Sequence, residues 1–222
     1  MRLIDLTMPV PAVENGIPTV STDEWPINGP GFSYTAMVYH FTHWSMSGTY
    51  IDFPGHIKET DDGADAANYP LEKLCDLPSA VIHLDRADRP GKIHAEELRQ
   101  ACPKRVGGGG IIVHALGTKR YDEVPERSVA LARDAVDWIV DQGAHVLVSD
   151  VYEHADEPED VFSALFSGGV CAVCCSCNLD RLDAPVVLLS VVPLRFAGVT
   201  QAPCRVFAKI IENDVTGQGS AK

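Results

Sequence analysis

The sequence is short of positive charge. Against 31 Asp and Glu stand only 18 Lys and Arg, a formal net charge of −13. Non-specific binding to nucleic acid or to an anionic membrane needs basic patches that this balance does not supply. Also missing are an apolar run near the length of a membrane span, an internal repeat, a low-complexity segment and a linker-like change of composition. One domain over 1–212 is therefore expected, with a flexible polar tail over 213–222. Met1 to Leu6 places a charge inside a short apolar run and offers no small-residue cleavage site, which predicts no secretory signal and a cytoplasmic protein. The cysteine number and spacing do not suit a secreted disulfide framework. The cysteines number 7, and Cys171, Cys174, Cys175 and Cys177 crowd into one run, so reduced thiols are expected. The glycines at 107–110 precede a strand, with no Lys-Ser/Thr opening a helix after them, so they are a turn and not a phosphate loop. Small-molecule partners are what these absences leave.

Hydrophobic residues at 45% and charged residues at 22% are ordinary globular values. Residues 2–6 read as a strand, followed by a long loop over 8–31, rich in Pro, Gly and Asn, of the kind that is functional or packs on a partner subunit. From Phe32 to Phe53 the aromatic and β-branched density predicts two strands or one bent strand. Strands and helices then alternate. Strands are expected at 79–84, 111–113, 146–148, 170–175, 186–192 and 205–211, with helices over 94–101, 128–142 with Ser128 as N-cap, and from about Pro158 to Gly168. The class is α/β, a single domain with a mixed β-sheet and flanking helices, mixed because the N-terminal strands lack crossover helices.

The stretch with the most chemistry is Met46-Ser47-Gly48-Thr49-Tyr50-Ile51-Asp52-Phe53-Pro54-Gly55-His56. Met46, Gly48, Tyr50, Asp52, Pro54 and His56 share one parity and would face one pocket if the segment were extended. At roughly 3.3 Å per residue, Asp52 and His56 would then lie about 13 Å apart, so Pro54 and Gly55 must bend the chain if both serve one site. A carboxylate and an imidazole so placed can act as a general base and its orienting partner, or can hold metal. Cys174 is a candidate third ligand, although Val170 to Cys177 also reads as a buried strand in which alternation puts Cys171, Cys175 and Cys177 on one face and Cys174 on the other. His114 and His154 fall at strand ends, where surface or core roles are expected. His40 and His43 lie too far along the chain, or on the wrong face, to join Asp52.

This stretch resembles the signature H-x-G-T-H-x-D-x-P-x-H of the cyclase family of metal-dependent hydrolases, which includes bacterial kynurenine formamidase and isatin hydrolase. Ile4-Asp5-Leu6-Thr7 with Pro9, Asn178-Leu179-Asp180, and Pro193-Leu194-Arg195 through Gly198 and Arg205 are similar to other parts of that family. The resemblance implies the family's swivelling β/β/α fold and a hydrolase cleaving an amide or lactone of a small aromatic compound. It implies one zinc or manganese ion held by Asp52, His56 and Cys174, with His56 and Asp52 catalytic and Tyr50, Phe162 and Trp25 around the substrate. Homodimers or higher homo-oligomers are implied too, the N-terminal segment reaching the neighbour's pocket. Four family ligand positions are replaced, by Met46, Tyr50, Phe162 and Cys174. The alternative is thus a metal-free paralogue that binds a small molecule without hydrolysing it, or that does acid–base chemistry with Asp52 and His56 alone.

Overall fold

The structure is a computed structural model and describes residues 1–103, 107–120 and 123–211. In chain order it contains β1 (Arg2–Asp5), β2 (Val13–Glu14), β3 (Ile17–Pro18), β4 (Val20–Gly29), β5 (Phe32–Phe41), β6 (Tyr50–Asp52), β7 (Leu77–His83), β8 (Gly91–Ile93) and α1 (Ala95–Ala101). There follow β9 (Gly110–His114), β10 (Val129–Leu131), α2 (Arg133–Asp141), β11 (Val146–Ser149), α3 (Val161–Ser167), β12 (Cys171–Cys174), β13 (Val186–Pro193) and β14 (Gln201–Ile210). The tail expected over 213–222 lies outside the described residues.

The principal sheet has the order β1-β14-β13-β7-β9-β11-β12-β6, and β6 pairs again with the start of β14, which closes the circuit. Parallel pairing joins β7, β9, β11 and β12. Their runs Ala80-Val81-Ile82, Ile111-Ile112-Val113 and Val146-Leu147-Val148 are buried on both faces, as parallel strands covered on both sides must be. Antiparallel β13, β14 and β6 complete the ring. Residue alternation sorts the core into two clusters. Ile51, Phe53, Ile112, Val148, Val173 and Val206 fill the ring, while Ile111, Val113, Leu147 and Ala172 turn outward to meet Leu98, Val136, Ile139 and Leu165 of the helices. Gly110 is needed where β9 passes β7, because a Cβ there would stand 2.4 Å from Ser79 Oγ.

Three expectations are corrected. The stretch 8–31 is not a loop: β2 and β3 form a small hairpin, and β4 pairs with β5 over its full length, from Val20↔Phe41 to Gly29↔Phe32. Four of its ten Pro, Gly and Asn residues make the Asn28-Gly29-Pro30-Gly31 turn, where Gly31 takes φ +82. The helix expected from Ser128 begins instead at Arg133, since Val129, Ala130 and Leu131 are buried as a strand parallel to β8. Cys175 does not stay on the face of Cys171. At φ 58 it leaves the strand, and it packs with Cys174 on the helix side.

A candidate small-molecule site behind strands β9, β11 and β12

Tyr50, Asp52 and Cys174 share the helix-facing parity of adjacent strands: Tyr50 lies opposite Cys174, and Asp52 opposite both Ala172 and Gln201. The residues before them have structural work. Gly48 takes φ +68, and a Cβ on it would be 2.7 Å from the Met8 carbonyl oxygen. The Thr49 hydroxyl accepts the Met8 N–H at 2.7 Å and donates to the Cys175 carbonyl at 2.7 Å. Gly48 and Thr49 therefore dock the N-terminal arm and the Cys175 turn against β6. Met46 does not join the face of Tyr50, because the strand begins only at residue 50; its side chain is exposed.

Pro54 to His56 form a 3-10 turn, the bend that the spacing requires. It brings Asp52 and His56 to one amide group. Gln201 Nε2 donates to Asp52 Oδ1 at 2.7 Å and to His56 Nε2 at 3.2 Å, while Gln201 Oε1 accepts the Ser45 hydroxyl. The Cys174 thiol approaches Asp52 Oδ2 at 3.9 Å. Asp52 is 3% exposed, and burial pushes its carboxyl up to about 6 against the opposing pull of Gln201, His56 and Cys174. Burial likewise holds the Cys174 thiol and the Tyr50 phenol well above their ordinary values, so both are neutral.

A cavity of about 400 Å³ opens beside this group, at the carboxyl ends of β9, β11 and β12. Ligands of α/β sheets settle at strand ends of this kind. Its aromatic wall is Tyr50, Tyr152 and Phe162, the last two stacked with centroids 5.1 Å apart. Tyr152 is fixed by donating to the Val173 carbonyl at 2.8 Å. Cys174 and Cys175 form the floor, and Ser176 lines it with a buried hydroxyl that has no hydrogen-bond partner among the described residues. His114 lines it too. Its Nδ1 is 2.8 Å from His83 Nδ1, and the outer nitrogens of the pair face the carbonyls of Gly117 and Leu182. A carbonyl can only accept, so each accepts from the ring nitrogen that faces it. Asp150, also on the wall, accepts the backbone N–H groups of Ala115 and Leu116 at 2.9 Å each.

Of the residues singled out in the sequence, Tyr50, Phe162 and Cys174 meet at the cavity, and Asp52 and His56 meet behind it, off its wall. Trp25 is elsewhere: it lies 54% exposed on β4, opposite Ala36. His154 caps a turn by accepting the N–H groups of Asp156 and Glu157, and His40 pairs with Asp23 on the ribbon. Sequence reasoning missed Tyr152, Ser176, His83 and Gln201.

The donor set does not fit the zinc or manganese ion expected on Asp52, His56 and Cys174. No group of three or more His, Cys, Asp and Glu suited to a metal occurs among the described residues. Phe162 has no donor atom, Met46 points to solvent, and an amide nitrogen stands between Asp52 and His56.

The family model named Cyclase matches residues 4–154. No curated protein matches the chain. Among solved structures, an isatin hydrolase bound to the product analogue thioisatinate superposes with a TM-score of 0.68 at 18% identity, over 95% of this chain and 92% of its own. Isatin hydrolase A from Labrenzia aggregata, bound to benzyl benzoate, gives 0.65 at 18% identity, over 95% and 94%. A potential metal-dependent hydrolase with cyclase activity gives 0.65 at 20% identity, over 96% and 99%.

Proposed function

This chain belongs to the Cyclase family, and on that premise we propose that it takes a small, flat, partly aromatic compound into the cavity and hydrolyses an amide or lactone bond in it, as a kynurenine formamidase or an isatin hydrolase does. The observation that carries the reading is the cavity itself. Its slot between Tyr50, Tyr152 and Phe162 suits a ring, and the Ser176 hydroxyl, without a partner among the described residues, suits a polar substituent. The folds shared with two isatin hydrolases support the reaction class. Hydrolysis adds water across the acyl bond and releases an acid with an amine or alcohol. The groups on hand are Asp52, whose raised carboxyl suits a base working near neutrality, and His56.

A second reading, binding without turnover, is favoured by one observation: Asp52 is off the cavity wall, with Oδ1 facing an amide N–H and Oδ2 facing a thiol. Aryl formamides, isatin and aryl lactones, each assayed with and without added zinc or manganese, separate the two. Turnover abolished by His56→Ala supports the hydrolase. A rise in melting temperature with no turnover supports the binder, and neither response overturns both. The partner of the ribbon is, in this proposal, a second copy of the chain. Both of its faces are apolar and exposed, Trp25, Ile27, Phe32 and Tyr34 on one and Val20, Met37, Tyr39 and Phe41 on the other. Light scattering should report a dimer or larger, and a strict monomer would contradict it.

A further inference from the structure

A buried carboxylate needs either a cation or a set of donors. At Asp52 the donors are the Gln201 amide on Oδ1 at 2.7 Å and the Cys174 thiol near Oδ2 at 3.9 Å. The glutamine amide has two N–H groups and one carbonyl, and each has a partner: Asp52 Oδ1, His56 Nε2 and the Ser45 hydroxyl. Its orientation is forced. Turned over, Oε1 would face the Asp52 carboxylate, acceptor against acceptor. Gln201 is also placed without freedom, since it lies directly across from Asp52 in the β14–β6 register and is 7% exposed.

We propose that the Gln201 side-chain amide stands where a family member would hold its metal ion, tying Asp52 to His56 through two N–H bonds and fixing the His56 ring with Nε2 as acceptor and a proton on Nδ1. Gln201 is a positioning residue in this role, acting on Asp52 and His56 and not on substrate. The inference holds whichever compound the cavity takes, because Gln201, Asp52 and His56 lie behind the cavity wall. A cation would have to displace the amide from both partners and also take the proton off the Cys174 thiol to gain a third ligand. The exchange of histidines for Tyr50 and Phe162 and the presence of Gln201 are then one change: the charge-bearing centre has become a hydrogen-bonded one, and its vacated volume is ring and cavity.

The test is nitrogen-15 NMR of the histidine rings in the intact protein, joined to metal titration. In the unaltered chain His56 should show an unprotonated Nε2 and a protonated Nδ1, and saturating zinc or manganese should leave both signals and the melting temperature unchanged. Gln201→Leu keeps the volume and removes the N–H groups, so His56 should lose its fixed tautomer and show exchange-averaged signals. Gln201→Glu should lower the dissociation constant for manganese by about tenfold or more, since it adds a carboxylate where the amide stood; Gln201→His serves if that variant does not fold. A protonated Nε2 in the unaltered chain, a His56 spectrum indifferent to Gln201→Leu, or metal binding by the unaltered chain as tight as by Gln201→Glu each overturns the proposal. A chain that turns over no substrate but shows the His56 signature leaves the inference standing and sinks only the hydrolase reading.

Discussion

Two carboxylates flank the cavity, Asp52 buried and Asp150 half-buried, and they are held in opposite ways. Asp150, just past β11, is on the cavity wall, yet its oxygens face the backbone N–H groups of Ala115 and Leu116, both fully buried. Asp52, at the end of β6, is off the wall, and its oxygens face side chains: an amide and a thiol. Burial raises both. Closeness to the cavity is thus a poor guide to chemistry here. A carboxylate tied to backbone is fixed by the fold and serves as scaffold, whereas one tied to side chains can be retuned by substitution without moving a strand.

The largest effect should come from the scaffold carboxylate. Asp150→Ala leaves two buried N–H groups without an acceptor and should cost about 3 kcal/mol in urea unfolding. A loss no larger than that of Asp52→Ala would break the distinction. Next is the pH dependence of Asp52. Its folded value of about 6 lies above the unfolded 3.8, so the native state binds more protons between these values. Stability should therefore fall as pH rises from about 4 to 6, by about 2 to 3 kcal/mol at most, and level off above. Asp52→Asn should flatten that slope, as read by melting temperature across the range, and an unchanged slope would deny the raised carboxyl. Phe162→Ala, which removes one side of the Tyr152 stack, should weaken ligand binding about tenfold for about 1 to 2 kcal/mol of stability, while leaving the Asp150 loop intact. The smallest effect on the monomer belongs far from both carboxylates. Trp25→Ser with Tyr34→Ser on the ribbon should change unfolding stability by under about 0.5 kcal/mol but shift the oligomer toward monomer.

Much of this architecture was legible in the chain because local pattern and tertiary environment agree there. The apolar runs at 111–113 and 146–148 could only be covered strands, and the Pro54-Gly55 bend followed from the distance between Asp52 and His56. Where they disagree, reading failed. Val129 to Leu131 carries a helix-like face and a plausible cap, but pairing with Gly91 to Ile93 decides its form. The ribbon looked like a loop because its turn residues outweighed the alternation beside them. Gln201 was out of reach for a different reason: its meaning rests on a cross-strand pairing with Asp52, 149 residues earlier, and no local spacing encodes that contact.

The claim on which the rest depends is that Asp52 and His56 are joined by an amide and not by a cation. Metal content of the full chain, purified without chelator and measured by plasma mass spectrometry, tests it most directly. The account predicts no stoichiometric zinc or manganese, and none retained after incubation with either and gel filtration. One equivalent bound per chain, lost in Asp52→Ala or His56→Ala, would contradict it.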